Sequence, residues 1–216
     1  LHVRSRRQRQ MCIRDRGFVI PAIRQLKAIS PRADVHVNVA ASDELVHDLA
    51  SGKNDFVLAR LPRGVNPADF EIYPARTETL KLIVRQDHPL ANVEQVTLRD
   101  LSNYEWVMQS HRAPIREAME TAFLSAGATL PTNITNTTSL LAMIAILVSS
   151  SAIAPLASEV PDLLLGDQVG ARLKVLPLNM TIEMSPYYLL LAKGRELSPV
   201  ANRLRRLVTA ALNKAH

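Results

Sequence analysis

Between positions 35 and 62 the chain reads VHVNVAASDELVHDLASGKNDFVLARLP, and its polarity changes period twice. Val35, Val37 and Val39 alternate with His36 and Asn38, the period of two that places successive side chains on opposite faces of a strand. Ser42 then supplies a helix N-cap, with Asp43 and Glu44 in the first turn, where carboxylates oppose the positive end of the helix dipole. Leu45, Val46 and Leu49 share one face of that helix, and Gly52 falls where a left-handed terminal residue is wanted. Asp55 to Arg60 forms a second strand. A helix between two strands implies a right-handed parallel crossover, and ligands of such units bind outside the carboxyl ends of the strands. Those ends carry Ala41-Ser42 and Arg60-Leu61-Pro62.

The same style continues along the chain. Before this unit, a helix starts near Pro21 with Ile23, Leu26 and Ile29 facing inward, and Ser30-Pro31 ends it. After it, strands are expected at Glu71 to Tyr73 and Thr79 to Arg85. A second alternating set follows: strand Glu105 to Met108, helix Ile115 to Ala126 stopped by Gly127, strand Asn133 to Thr135 and helix Ser139 to Val148. Strand Ala152 to Ala154, a short helix near Val160 to Leu165 and strand Leu173 to Leu176 complete it. Tyr187 to Ala192 is a strongly apolar strand, and Ser198-Pro199 caps a last helix with Val200, Leu204, Leu207, Val208 and Leu212 on one face. The pattern predicts an α/β protein of two Rossmann-like lobes joined by two crossing strands. Residues 17–84 and 189–216 form lobe I and residues 85–188 form lobe II.

Charge adds one correction to this picture. A net +6 and a pI near 9.8 suggest a nucleic acid or an acidic membrane surface as partner, yet residues 1–16, LHVRSRRQRQMCIRDR, supply +5 of it. That leader has no apolar period, holds the only cysteine, Cys12, and reads as translated junction sequence, so it is set aside from the fold. A natural basic arm is the rival reading. One cysteine makes neither a disulfide framework nor a cysteine metal cluster. The longest apolar run, Leu140 to Val148, is far short of the ~20 residues that span a bilayer, and no secretion signal opens the chain. A cytoplasmic protein is expected.

Four polar clusters fall at strand ends or helix starts: Ser42-Asp43, Arg60, Gln109-Ser110-His111-Arg112 and Asn136-Thr137-Thr138-Ser139. Unpaired N–H groups and partial positive charge at helix N-termini, with hydroxyls beside them, suit a small anion. Each cluster also has a plain structural explanation. Ser42 and Ser139 serve as N-caps, Arg60 and Arg112 as surface charges, His88 before Pro89 as a turn residue, and Met143 as packing. His111 has no second His or Cys spaced to join it on a metal, and no metal or cofactor is expected. There is no G-x-S-x-G, H-E-x-x-H, Walker loop or G-x-G-x-x-G, and Ser149-Ser150-Ser151 has no His or Lys beside it, so catalysis is not expected.

Five stretches together resemble the effector-binding, or substrate-binding, domain of LysR-type transcriptional regulators. They are LASGKNDFVLARLP at 49–62, LIVRQDHPLA at 82–91, VTLRDLSNYEWVM at 96–108, SSSAIAPLA at 149–157 and YYLLLAKGRELSP at 187–199, and the likeness runs over about residues 17–212. The resemblance implies the type 2 periplasmic-binding-protein fold and a small metabolite held as effector in the cleft between the lobes, for which the polar clusters above suit an anion. It implies homodimers or homotetramers formed through lobe I, and DNA binding only through a winged helix-turn-helix missing from this chain. The cleft residues it implies are Ser42, Asp43, Arg60, Leu61, Pro62, Ser110, His111, Arg112, Thr137, Thr138, Ser139 and Ala152. Ser151-Ala152 stands where members often carry Gly, which removes a close backbone approach. The chief alternative is a solute-binding protein of a transporter, which shares the fold; an α/β enzyme is a further one.

Overall fold

A computed structural model of the chain describes residues 19–214 except 112 and 167–169. The leader at 1–16, and with it Cys12, lies outside the described residues. The chain divides into two compact units, residues 1–77 with 186–216 and residues 78–185. These boundaries differ from the expected 84/85 and 188/189. The strand at 79–85 pairs only with strands of the second unit, whereas Tyr187 and Tyr188 already pair in the sheet of the first.

Unit 1 has a three-stranded sheet in the order β1 (Val57–Ala59), β9 (Tyr187–Ala192), β2 (Phe70–Arg76), with β9 antiparallel to both neighbours. β9 is apolar throughout because both of its faces are covered. Tyr187, Leu189 and Leu191 pack with α1 (Val19–Ile29) and α7 (Pro199–Lys214), while Leu190 packs with Leu45, Val46 and Leu49 of α2 (Ser42–Ala50). Pro74 lies in β2, an edge strand of this sheet, next to a register shift between Pro74 and Arg76; a missing N–H is tolerated there.

Three expectations for this unit fail. Val35–Val39 forms no strand, and Val37 and Val39 stay exposed, because alternation supplies a face but no ladder partner among the described residues. The strand–helix–strand crossover is therefore not realised, and β1 pairs antiparallel with β9 instead. Ile29 is 53% exposed; the inward face of α1 is Val19, Ala22 and Leu26.

In unit 2, β3 (Thr79–Arg85) lies antiparallel to β6 (Ala154–Ala157) on one side and to β7 (Leu173–Val175) and β8 (Ile182–Glu183) on the other. β4 (Trp106–Met108) runs parallel to β5 (Ile134–Asn136), and Trp106 bridges Ile153 in parallel on its other side. The expected strand at 152–154 is thus shifted toward the C-terminus. Side-chain parity separates two cores: Leu80, Leu82, Val84, Trp106 and Met108 face α4 (Pro114–Ser125), and Ile83 and Val107 face α5 (Leu140–Ser149). Trp106 meets the Phe123 ring edge-on at 5.5 Å and donates from Nε1 to the Leu101 carbonyl at 3.0 Å. A short helix, α3 (Leu98–Leu101), was not foreseen; Thr97 and Asp100 close it with a capping box.

His88 holds the turn after β3. Only 2% exposed, it sits with Nε2 3.2 Å from the Ser151 carbonyl, while its Nδ1 accepts from the Leu90 N–H at 3.1 Å. That pairing requires the neutral ring with its proton on Nε2. Burial, with Arg85 nearby, pushes its pKa below the ordinary value, against a smaller opposing effect of the Ser151 bond.

Two measurements test these supports. A histidine with a depressed pKa binds fewer protons folded than unfolded, so stability is full above the ordinary imidazole pKa of about 6.5 and is lost as pH falls through it. The urea midpoint should fall from pH 7.5 to 5.5, and less so in His88→Asn; equal slopes would remove His88 as the cause. Gly52, at φ +80°, ends α2, and a Cβ there would lie 2.1 Å from Nη1 of Arg195, whose Nη2 donates to the Gly52 carbonyl at 2.8 Å. Gly52→Ala should cost about 1–2 kcal/mol. Part of that loss should persist beside Arg195→Ala, since the backbone conformation is unfavourable without any clash.

Candidate functional site

The rim of unit 1 is built where α2 starts beside the carboxyl end of β1. Ser42 is the first residue of α2 rather than its N-cap; Ala41 occupies the cap with no side-chain bond. The Ser42 Oγ instead accepts the Arg60 N–H at 3.2 Å, joining two of the expected site residues. Arg60 is 6% exposed, Leu61 and Pro62 are half-buried, and Asp43 is exposed in the first turn of the helix. This rim lies at the end of the sheet where the chain leaves at Thr77 and returns at Pro186, since Ala59 pairs with Tyr188.

The rim of unit 2 forms at the carboxyl ends of the parallel strands β4 and β5. The Thr137 N–H donates to the Met108 carbonyl at 2.9 Å, which carries the ladder past both strands and brings Ser110 and the Thr137–Ser139 turn to one edge. Thr137 Oγ1 accepts from the Ser139 N–H at 3.1 Å, and Ser139 caps α5 by accepting from the Ala142 N–H at 3.2 Å. The Thr138 hydroxyl is exposed and makes no hydrogen bond to the described residues. α4 and α5 both begin at this edge, so two helix N-termini direct partial positive charge toward it.

Other expected site residues stand differently. Arg112 lies outside the described residues. His111 is exposed, its Nδ1 3.7 Å from Glu120 Oε1. Ala152 is fully buried and precedes Ile153 in the strand parallel to β4, so it sits toward the amino end, away from the rim. Ser149, Ser150 and Ser151 are engaged locally, with Ala145 and Ile146 carbonyls, the Ala152 N–H and Arg85 respectively. Among the described residues no group of three or more His, Cys, Asp or Glu could hold a metal ion.

One residue beneath the rim was missed. Arg116 is 7% exposed in the first turn of α4, with Nε 2.5 Å from Glu120 Oε1 and Nη1 donating to Met108 Sδ at 3.2 Å. The Arg–Glu spacing of four in PIREAMETAF was the available signal. A cation fixed under the last residue of β4 braces the strand end from which the rim is built.

The family of the LysR substrate binding domain matches residues 14–213. The chain belongs to it. Within this LysR family, the HTH-type transcriptional regulator GbpR of Rhizobium radiobacter is 37% identical over 152 residues, covering 70% of this chain and 50% of that protein. GbpR of Azospirillum brasilense is 26% identical over 199 residues, covering 92% of this chain and 56% of its own length. The chain spans about half the length of these curated relatives. Among solved structures, the effector binding domain of QuiR in complex with shikimate matches with TM-score 0.73 at 17% identity, over 96% of each chain. The Synechocystis PCC6803 CcmR regulatory domain in complex with 2-PG matches with TM-score 0.76 at 17% identity, over 94% of this chain and 96% of that one. These likenesses show the type 2 periplasmic-binding-protein fold. Among the described residues no helix is long and apolar enough to cross a membrane.

The cap at Ser139 separates a structural role from a binding one. Ser139→Ala should lower the stability of unit 2 by about 1 kcal/mol in urea titration, and Ser139→Asp, which also caps, should recover most of it.

Proposed function

We propose that this chain is the effector-sensing part of a LysR-type transcriptional regulator and that it binds a small anionic metabolite. The observation that carries the reading is the edge of unit 2, where two helix N-termini, Ser110 and an unengaged Thr138 hydroxyl converge. Unit 1 offers Ser42, Asp43, Arg60, Leu61 and Pro62 as candidate ligand contacts of its own, and on unit 2 Thr137 and, by sequence, Arg112 join Ser110 and Thr138 as candidates. Shikimate and benzoate, named with two of the structural neighbours, are carboxylates, the chemistry such donors favour. Ligand binding acts by differential affinity for the conformations available to the chain.

In this reading the protein is cytoplasmic, non-catalytic and homo-oligomeric through unit 1. It reaches DNA through a winged helix-turn-helix outside this chain, as the naming of its relatives as HTH-type regulators supports. That naming also favours a regulator over a transporter's solute-binding protein.

Calorimetry with a panel of small organic acids and neutral polyols tests the proposal. An acid should bind, Thr138→Ala should weaken it about tenfold or more, and Ser139→Asp should weaken it through repulsion while leaving the fold intact. Binding of polyols alone would overturn the anionic class but keep the sensing role. Wild-type affinity in both variants would overturn the site.

A further inference from the structure

Of the charged residues of α4, Arg116, Glu117 and Glu120, the arginine alone is buried, and its position is unfavourable on several counts. It stands in the first turn, where the positive end of the helix dipole repels a cation. Its carboxylate partner, Glu120, comes one turn later, the order that opposes the dipole rather than complementing it. Its guanidinium has left water, yet Nη1 faces the thioether of Met108, a weak acceptor. Packing asks for none of this, since an apolar side chain of similar volume fills such a space without a dehydrated charge.

Glu120 balances the arginine only in part. Its side chain is 33% exposed against 8% for Arg116, so water screens the carboxylate more than the cation. The exposed His111 lies 3.7 Å from the same carboxylate oxygen, a second partner on the solvent side. The carboxylate is also anchored one turn farther from the helix start, whereas the guanidinium reaches the side chain of Met108, the last residue of β4. The Met108 carbonyl accepts the Thr137 N–H, so the cation adjoins the strand end that leads to Ser110 and the Thr137–Ser139 turn.

We propose that Arg116 is the specificity-determining cation of this edge, selecting an effector whose acidic group sits against unit 2 over an uncharged analogue of the same shape. It acts through the field of a half-compensated charge in a poorly screened setting, in addition to the hydroxyls and helix N–H groups at the rim. The inference rests on the anionic reading above and adds the residue that enforces it. Glu120 keeps the cation tolerable without ligand, and the ligand's own charge completes the neutralisation.

Matched pairs of acid and amide test this: acetate with acetamide, succinate with succinamide, benzoate with benzamide. The full chain carries carbon-13 on its methionine methyls, of which that of Met108 reports beside Arg116. An acid should shift the Met108 methyl and bind more tightly than its amide. Glu120→Gln keeps the shape and an acceptor for Nε but removes the opposing charge, so it should tighten the acid about threefold to tenfold and leave the amide unchanged. Arg116→Gln should weaken the acid by a similar factor, and Arg116→Lys should retain most of the preference. A residue that only braces β4 gives the opposite sign in Glu120→Gln, because losing the brace loosens the edge. Should Arg116→Gln fail to fold, the sign of the Glu120→Gln effect decides alone. An acid-to-amide ratio unchanged or lowered in Glu120→Gln overturns the inference and leaves the sensing role intact, as does acid binding that leaves the Met108 methyl unmoved. A wild-type chain that binds none of the acids overturns the anionic reading and this inference together.

Discussion

Unit 1 is closed by a strand that arrives only after the whole of unit 2 has been threaded. β9 enters between β1 and β2, and its alternate side chains complete two separate cores, one under α1 and α7 and one under α2. Without it, β1 and β2 have no ladder joining them, and the apolar faces of three helices lose much of the surface they cover. The pairing is non-local, so its loop-closure entropy must be offset by burial along both faces at once. This explains why YYLLLA carries no exposed polar residue, whereas the edge strand β2 carries the exposed Glu71.

The same closure decides where chemistry can reside. Because β9 runs against β1 and β2, their carboxyl ends fall at the end of the sheet through which the chain passes to and from unit 2. Unit 2 repeats the arrangement with parallel strands, whose carboxyl ends lead directly into α4 and α5. Helix starts and strand ends supply unsatisfied donors, and a small polar ligand is one way to satisfy them. In both rims part of the polar inventory is already used internally. Ser42 secures the backbone after β1, and Ser139 secures the start of α5, so the groups that hold these edges in place adjoin those left for a ligand.

What was readable in advance follows from locality. The face of α2 with Leu45, Val46 and Leu49 and the stop at Gly127 each depend on neighbours a few residues away, and each formed as read; the strand at 187–192 was legible from its unbroken apolar run, although its partners are distant. Val35–Val39 misled because a period of two describes a strand's faces and says nothing about its partner. Ser42 misled for a related reason: a serine before an apolar period satisfies the cap rule, but a distant N–H, that of Arg60, captured its hydroxyl. Arg116 was passed over because a charged residue on a helix is normally solvated, and only tertiary packing under Met108 buries it. Ala152 was placed by analogy of words, and the direction of its strand carries it to the opposite edge.

The cations of this chain divide by environment into two kinds, and the division bears on what each can recognise. Arg60 and Arg116 are nearly excluded from water, where the effective dielectric is low and a charge demands specific, well-placed partners. Such groups suit discrete acceptors, and in Arg116 the partner is already an internal carboxylate, Glu120. Arg24, Arg203 and Arg206 stand in solvent, where any single pair is worth little and is screened within about 10 Å. Exposed charges become significant only when several of one sign meet a ligand that is itself a row of charges. Burial therefore separates cations held by internal partners from cations left to solvent, although the residue type in both settings is the same.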